Sequence, residues 1–367
     1  MTRARKRVLT VGGALIDTIA LIDSDHIERM SMNNADAAYL LLQEGRKTEA
    51  ALISTHPGGG AINAAVAFSR LGFEVASLVK IGRDPRGEAI EAALAYEKIS
   101  RKFIVHTEEA ATGASVLVSS HERNAAIFTF RGANSYLVES DIAPASFETD
   151  IVYITGLSNQ SADVFPFIVN SASLGGAFIT ANPGIRQLTA RGDDFQKTLS
   201  KLGLLSMNKQ EASSFLPRLA AMQQHAPKRA FPVDAPDLIR RGFSASGFDM
   251  GFRHFVEAFL NLGVACILVT DGREGAYAVD NSEIVYCPSL PVDVVGTAGA
   301  GDAFTATFTA LFANGASLSD AMQYAATNAS SVVQFADTQS GLLSRDALET
   351  EKRVKASLMK LQTWKLH

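Results

Sequence analysis

From Leu52 onward, short apolar segments alternate with longer segments of helical periodicity. Parallel strands need long crossover connections, usually helices, and a sheet of such strands is buried on both faces. The alternation therefore predicts an α/β fold with a mostly parallel central sheet covered by helices on both faces. The predicted strands cover residues 7–12, 75–79, 151–155, 178–181, 202–207 and 265–270, and the predicted helices cover residues 61–71, 87–96, 164–174, 193–199, 209–216, 302–313, 318–335 and 344–361.

Two regions break the alternation. Residues 16–22 extend past the first strand, and residues 103–130 contain two strand-like segments, 114–119 and 125–130, with His121-Glu-Arg-Asn124 between them. Antiparallel strands embedded in an α/β chain often form a flap. We therefore expect one α/β domain over residues 1–367, with a small β-lid formed from about 16–23 and 103–130.

Two further segments are interpreted as insertions into this pattern. Residues 24–55 include a leucine-bearing stretch at 37–43 that predicts a helical piece. Residues 216–248 contain Pro217, Pro227, Pro232 and Pro236, which predict a surface loop.

Composition excludes several classes of protein. A net charge of −4 provides no overall field that would attract nucleic acid, and the basic cluster of Arg3, Arg5, Lys6 and Arg7 is interpreted as a solvated tail. No apolar run approaches the ~18 residues that a membrane helix requires. Two cysteines, Cys266 and Cys287, have no metal-ligand spacing and favour a reducing, cytoplasmic location. We expect no nucleic-acid or membrane partner.

The common nucleotide-binding loops are missing. There is no Gly-Lys dipeptide, which excludes the ordinary P-loop, and neither glycine cluster fits G-x-G-x-x-G. What remains is Gly299-Ala-Gly-Asp302 at the start of a predicted helix. The unpaired N–H groups of a first helical turn bind phosphate oxygens without any lysine. Asp302 beside them either caps the helix or accepts a proton from an alcohol that attacks a phosphoryl group.

Three weaker signals lie upstream of that turn. Gly58-Gly-Gly60 opens a helix that carries Asn63 in its first turn, where the amide either binds a hydroxyl or satisfies local backbone groups. Asp17 follows the first strand, where ligands gather in open α/β sheets, although a lone aspartate there is also a common turn former. Asn208-Lys-Gln-Glu211 follows another strand, and Glu211 there also complements a helix dipole.

Taken together and in this order, these segments and Thr270-Asp-Gly-Arg-Glu-Gly275 resemble the PfkB/ribokinase family of small-molecule kinases over residues 7–343. The resemblance implies a three-layer α/β sandwich with a β-lid, ATP and Mg²⁺ as cofactors, and dimerisation through the lids. It also implies Asp302 as the general base; Gly299, Ala300 and Gly301 with Asp302 as the anion hole; Asp17, Gly59, Gly60 and Asn63 around the acceptor; Asn208 and, through water, Glu211 around magnesium and phosphate; Thr270, Gly272 and Gly275 along the nucleotide; and Asn328 beside the adenine.

The chain departs from ribokinase itself in two places. Gly60 stands where that enzyme has a lysine, which argues against ribose as the acceptor. Gly296 stands where many relatives have an aspartate, so we expect little activation by potassium; the alternative is that Asp293, three residues earlier, restores the charge. The 24–55 insertion resembles the longer connection between the first strand and the Gly-Gly segment in the adenosine-kinase branch of the family. Arg131, at the end of the lid hairpin, either meets a carboxylate or phosphate on the substrate or is solvated.

The resemblance implies an ATP-dependent kinase that phosphorylates a hydroxymethyl group of a monosaccharide. A nucleoside kinase is the alternative within the same chemistry, and a non-catalytic sugar or nucleotide sensor is the alternative outside it. The carboxylate of Asp302 argues against a sensor, because binding alone gains little from a buried carboxylate beside phosphates.

Overall fold

A computed structural model of the chain describes residues 5–22, 28–31, 38–41, 45, 47–120, 125–220 and 231–366. The strands are β1 (Arg7–Val11), β2 (Leu15–Ile22), β3 (Glu28–Ser31), β4 (Ala38–Leu41), β5 (Ala50–Gly58), β6 (Glu74–Leu78), β7 (Lys80–Gly82), β8 (Val105–Thr107), β9 (Gly113–Ser120), β10 (Ala125–Phe130), β11 (Ile151–Thr155), β12 (Phe178–Asn182), β13 (Leu204–Asn208), β14 (Phe243–Ala245), β15 (Phe248–Met250), β16 (Ile267–Thr270), β17 (Ala276–Val279), β18 (Glu283–Cys287) and β19 (Gln362–Lys365).

The α-helices connect these strands and cover the sheet. They are α1 (Gly60–Arg70), α2 (Pro85–Tyr96), α3 (Phe165–Leu174), α4 (Ile185–Ala190), α5 (Gly192–Gln196), α6 (Lys209–Ser214), α7 (Leu216–Ala220), α8 (Asp237–Arg241), α9 (Phe252–Asn261), α10 (Ala300–Phe312), α11 (Leu318–Val332) and α12 (Arg345–Lys355). Within the described residues, no helix is long and apolar enough to span a membrane.

The central sheet has the strand order β19-β18-β17-β16-β13-β12-β11-β1-β6. Its strands from β6 to β16 pair in parallel, and β17, β18 and β19 extend one edge in antiparallel fashion. Alternate residues of β11 enter different core clusters: Ile151 and Tyr153 pack with α1 and α10, whereas Val152 and Ile154 pack with α3 and α9. Both faces of the sheet are therefore buried, as the alternating sequence predicts.

A second sheet, β10-β9-β2-β5, forms the lid. It joins the two segments that the sequence indicates as lid strands, because β2 pairs in parallel with β9 and β9 pairs with β10. The fourth strand, β5, lies in the region interpreted as an insertion and pairs antiparallel with β2. Residues 121–124, between β9 and β10, lie outside the described part of the chain.

Three expectations about local structure are wrong. The helix expected at 37–43 is a strand where it is described, since β4 pairs with β3 and residues 37, 42 and 43 lie outside the described part. A stretch this short gains little from helical propensity, so pairing with a neighbouring strand decides its structure. The helix expected at 344–361 ends at Lys355, because the following residues turn to place β19 on the sheet edge.

The third wrong expectation is the surface loop at 216–248, because the described residues of this range, 216–220 and 231–248, form regular elements with a buried face. They contain α7, α8, β14 and the start of β15, and Leu216, Leu219, Leu238, Ile239 and Phe243 are buried in the core cluster beneath α9. Residues 221–230, with Pro227, lie outside the described part of the chain. The prolines mark the connections between these elements, whereas the apolar residues between them decide burial.

We expect Phe243→Ala to destabilise the protein by about 3–5 kcal/mol, because removal of a buried aromatic ring leaves a cavity. The ring of Phe243 is 2% exposed and lies 4.2 Å, centroid to centroid, from that of Phe255. Urea unfolding followed by fluorescence measures the change. Phe248→Ala, on the paired strand, is the matched control, because that ring is 41% exposed. Equal, small effects of both substitutions would contradict a structural role for this segment.

Candidate active site

The turn that precedes α10 places Asp302 at the start of a long helix. Gly299 has a φ of +79°, and a Cβ atom there would lie 2.7 Å from Cβ of Thr338, so the turn requires glycine. The first intrahelical hydrogen bond runs from Ala303 N to Gly299 O at 2.9 Å. The N–H groups of Gly301 and Asp302 precede that bond, at the positive end of the helix dipole. The geometry suits an anion beside Asp302.

Asp302 receives a hydrogen bond from a second helix. Nδ2 of Asn63, in the first turn of α1, donates to Oδ2 of Asp302 at 2.8 Å. Burial raises the pKa of the Asp302 carboxyl above the ordinary aspartate value, the bond from Asn63 opposes the rise, and the negative charge of Asp17 adds to it. A carboxylate with a raised pKa is a stronger base than an ordinary aspartate.

Two residues that the sequence did not single out hold Asn63. Oγ1 of Thr338 donates to Oδ1 of Asn63 at 2.8 Å, and Nε2 of Gln339 donates to the same oxygen at 3.1 Å. Gln339 also donates to the carbonyl of Pro57 at 2.8 Å. Because two donors occupy the amide oxygen, the amide nitrogen must face Asp302. No local pattern indicates these contacts, since the partners are more than 270 residues apart in the chain.

Asp17 lies in the lid strand β2, opposite both Ser115 of β9 and His56 of β5. The hydroxyl of Ser115 donates to Oδ1 of Asp17. Burial raises the pKa of Asp17, whereas Ser115 and the nearby His56 lower it. Oδ2 of Asp17 lies against Gly58, where a Cβ atom would approach it to 2.0 Å. The carboxylate therefore lies directly beside the segment Gly58–Gly60, here called the glycine loop.

The glycine loop joins the lid to the central sheet. Gly59 precedes α1, and the N–H of Ala61 donates to the carbonyl of Gly13, just after β1, at 3.2 Å. Gly60 packs against the side chain of Thr155, the last residue of β11. Asp17, Gly59, Gly60, Asn63 and Asp302 are thus brought together at the carboxyl edge of the sheet, where open α/β sheets bind ligands.

Asn208 and Glu211 form a reciprocal cap at the start of α6. Asn208 Oδ1 accepts from Glu211 N, and Glu211 Oε2 accepts from Asn208 N, both at 2.8 Å. Burial raises the pKa of Glu211 to about 7; its bonds with Asn208 oppose this rise, and the negative charge of Asp302 contributes to it. Glu211 therefore lies within the electrostatic influence of Asp302, and a cation bound between them would relieve the repulsion.

The segment from Thr270 to Gly275 follows the neighbouring strand, β16. Thr270 pairs in register with Asn208, so the two residues lie side by side at the ends of adjacent strands. The loop closes through a 2.8 Å bond from Asp271 N to Gly275 O, and Asp271 forms an ion pair with Lys209 at 3.3 Å. Thr270, Gly272 and Gly275 thus belong to the same edge of the sheet as Asn208.

Asn328 is placed differently from the other predicted residues. It is completely buried, its Nδ2 donates to Oγ1 of Thr307 at 2.8 Å, and its Oδ1 accepts from Leu343 N at 3.0 Å. Both ends of the amide are used to connect α11 with α10 and with the segment before α12. The structure does not present this side chain to a ligand.

Comparison with known proteins supplies the family. The profile of the pfkB family of carbohydrate kinases matches residues 27–233 and 252–345, which is most of the chain. The chain belongs to this family. The kinase is therefore a phosphotransferase with an alcohol group of a sugar or nucleoside as acceptor, which confirms the sequence-based assignment to the PfkB/ribokinase family.

The kinase is similar to proteins from distant organisms. Ribokinase of Bacillus subtilis (strain 168) is 27% identical over 308 residues, which cover 80% of this kinase and 87% of the relative. The structure of Arabidopsis thaliana ribokinase with ribose and ATP matches with a TM-score of 0.69 at 19% identity, over 95% of this chain and 99% of that chain. A nucleoside kinase from Methanocaldococcus jannaschii matches with a TM-score of 0.69 at 20% identity, over 96% of this chain and 100% of that chain. These likenesses confirm the predicted ribokinase-like fold.

We expect Glu211→Gln to raise the melting temperature of the ligand-free kinase at pH 8.5 and to leave it nearly unchanged at pH 4. The pKa of Glu211 is about 7 in the folded protein, above its ordinary value of 4.5, so the contribution of Glu211 to stability is fully present below about pH 4.5 and is lost as the pH rises through about 7. The gain at pH 8.5 is at most about 3 kcal/mol, because one pKa unit corresponds to about 1.4 kcal/mol.

Glutamine retains the oxygen that accepts from Asn208 N, so the helix cap is preserved. Scanning calorimetry in EDTA provides the measurement, with exposed Glu139→Gln as the control. An equal gain at both pH values would show that the carboxylate of Glu211 does not titrate as described.

Proposed function

We propose that this kinase transfers the γ-phosphoryl group of ATP to a hydroxymethyl group of a monosaccharide. Asp302 is the general base, and the turn from Gly299 to Asp302 is the anion hole. The observation that carries the proposal is the position of Asp302: its carboxylate is fixed by Asn63 at 2.8 Å and lies in the same helical turn as unpaired N–H groups. A proton acceptor and a phosphate-binding turn are thereby combined in a few residues.

The residues divide the reaction between them. Asp17 and the loop at Gly59 and Gly60 bind hydroxyl groups of the acceptor, and Asp302 takes the proton of the hydroxymethyl oxygen as that oxygen bonds to the γ-phosphorus. The bond between the γ-phosphorus and the oxygen of the β-phosphate breaks, and ADP leaves with that oxygen. The N–H groups of the turn stabilise the negative charge on the transferred group.

The nucleotide phosphates lie on the other side of Asp302, along Asn208, Thr270, Gly272 and Gly275. Mg²⁺ fits this side because burial and the negative charge of Asp302 raise the pKa of Glu211, so a cation here would be favoured. Mg²⁺ takes few protein carboxylates and keeps several waters. Glu211, through water, is the residue that would hold it. When bound, the ion neutralises charge on the phosphates.

We expect Asp302→Asn to lower kcat by at least ~100-fold, the lower end of general-base contributions, while ATP binding persists. Asparagine keeps the size of the side chain and an oxygen that accepts from Asn63. In the wild type, the raised pKa means that Asp302 is ionised only above that pKa, so kcat rises with pH and then reaches a plateau.

A coupled assay of ADP release, with sugars and nucleosides as acceptors, measures the effect. Asp320→Asn, on the exposed start of α11, is the control. Near wild-type turnover in Asp302→Asn would show that Asp302 is a helix cap and not the general base. Absence of acceptor-dependent ADP release from the wild type would favour a sensor, and a clear preference for nucleosides would select the alternative acceptor class.

We further propose that two copies associate through their lids. On the face of the lid opposite Asp17, Val116 and Phe128 pair directly across β9 and β10 and are 42% and 62% exposed, and Ile53 of β5, on the same face, is 67% exposed. Such an exposed apolar face marks an association surface. Association through this face also fixes the lid over the acceptor, because Asp17 and Ser115 occupy the other face of the same strands.

We expect Phe128→Glu to convert a dimer into a monomer, because a charge at the centre of an apolar interface is costly to bury. Light scattering coupled to gel filtration gives the molar mass. Leu174→Glu is the matched control, because Leu174 is 91% exposed at the end of α3, away from the lid. A wild-type monomer, or a Phe128→Glu dimer, would contradict association through this face.

A further inference from the structure

Two arginines beside the acceptor region are left without a counter-charge. Arg131 directly follows lid strand β10 and is half-buried, and Arg186 is exposed in the first turn of α4. Within the part of the chain that the structure describes, neither guanidinium group forms an ion pair or a hydrogen bond. Neighbouring arginines differ, since Arg191 pairs with Asp163 and Arg218 pairs with Asp193.

The two charges also repel each other. Burial lowers the pKa of Arg131, and the positive charge of Arg186 lowers it further. Two cations held within each other's field gain most from an anion that bonds to both. The planar guanidinium group presents paired N–H donors that match the two oxygens of a carboxylate or phosphate.

The backbone around Arg131 is anchored at the acceptor side of the site. The side chain of Asn134, three residues later, bonds to both Ala14 N and Ala14 O, at 2.9 and 2.7 Å. Ala14 lies in the connection between β1 and β2, three residues before Asp17. Arg131 is therefore held beside the strand that carries Asp17.

The helix turn that carries Arg186 is anchored to the segment after β11. The adjacent Gln187 accepts, through Oε1, a hydrogen bond from Leu157 N at 3.1 Å, and Leu157 lies two residues after Thr155. Thr155 packs against Gly60 of the glycine loop. The segment after β11 also bonds back to the turn after Arg131, because Oγ of Ser161 donates to Asn134 O at 2.8 Å. The two arginine-bearing segments are thus both hydrogen-bonded to the segment 155–161, which begins beside the glycine loop.

We propose that Arg131 and Arg186 bind an anionic group, a carboxylate or a phosphate, carried by the acceptor. The acceptor is then a sugar acid or a sugar phosphate rather than a neutral sugar, and its anionic group lies remote from the hydroxymethyl group that is phosphorylated. This inference rests on the proposed function, since it names the acceptor class of the same site. The nucleotide is the less suitable anion, because Arg131 belongs to the lid side and the phosphate loop at 270–275 follows β16.

The first test uses anions that carry no sugar. Inorganic phosphate and acetate are titrated separately at constant ionic strength, with chloride as the reference salt, and the melting temperature is followed for the wild type and for Arg131→Gln combined with Arg186→Gln. We expect a specific rise in the wild type that falls by about half or more in the double variant, with the rest due to the turn before α10. Arg191→Gln, at the end of α4, is the matched control. An equal response of the wild type and the double variant would overturn the proposal.

The second test compares acceptors that differ only in the charged group. D-gluconate is paired with D-glucitol, and D-fructose 6-phosphate with D-fructose, and kcat/KM is measured for each with ATP. The proposal expects a preference for the anionic member of at least one pair, by about tenfold or more, and loss of that preference in the double variant. The pair that shows it distinguishes a carboxylate from a phosphate. A preference for the neutral member in both pairs would overturn the proposal.

Three further outcomes separate this inference from the proposed function. If the double variant loses ATP affinity as much as acceptor affinity, the arginines bind the nucleotide and the inference is wrong, although the kinase assignment stands. If neutral sugars are phosphorylated and the double variant matches the wild type in both tests, the inference alone fails. If no acceptor supports ADP release, the proposed function fails, and the phosphate titration still reports on the arginine pair.

Discussion

The hydrogen bond between Asn63 and Asp302 connects the two helix starts on which the site is built. It joins the first turn of α1, which follows the glycine loop, to the first turn of α10, which follows the Gly299 turn. Thr338 and Gln339 fix the direction of the Asn63 amide, so the Asp302 carboxylate has one defined orientation. In the proposed function, in which Asp302 is the general base, a carboxylate held in place before the acceptor binds avoids reorganisation during the reaction.

Three carboxylates at the site carry negative charge that the surrounding protein does not fully compensate. The pKa values of Asp17, Asp302 and Glu211 are all raised, chiefly by burial, and Asp302 is influenced by Asp17 and itself influences Glu211. This cluster of negative charge lowers stability at high pH and is relieved by a bound cation. Binding of a metal ion on the Glu211 side should therefore release protons near neutral pH.

Much of this arrangement could be predicted from the sequence, because local patterns determine it. The parallel strands follow from apolar runs between helical segments, and Asp302 is marked by the glycine turn before a helix. Thr338, Gln339 and Ser115 could not be found in this way, because each acts through a contact between distant parts of the chain. Their own sequence neighbourhoods are those of ordinary bends and strands.

The wrong expectations have the same origin. The stretch at 37–43 has a local helical pattern, but pairing between β3 and β4 determines its structure where it is described. The prolines of 216–248 indicate turns correctly, whereas burial of Phe243 against Phe255 depends on α9, which lies further along the chain. The local sequence does not indicate a site at Arg186, because an arginine in a first helical turn is common. Its importance depends on Arg131, which lies close to it only in the folded chain.

The distribution of charge around the glycine loop also implies an orientation for the acceptor. In the proposed function, hydroxyl groups of the acceptor bind beside Asp17 and Asp302, and the negative charges of these residues repel a carboxylate or phosphate at that end of the acceptor. Arg131 and Arg186 provide the opposite charge on segments that border the same loop. An acceptor with an anionic group at one end and a hydroxymethyl group at the other can place the anionic group at the arginines and the hydroxymethyl group at the carboxylates in only one orientation. Attraction would then favour the productive orientation, and repulsion would exclude the reversed one. A small site can select one hydroxyl among several of similar reactivity in this way.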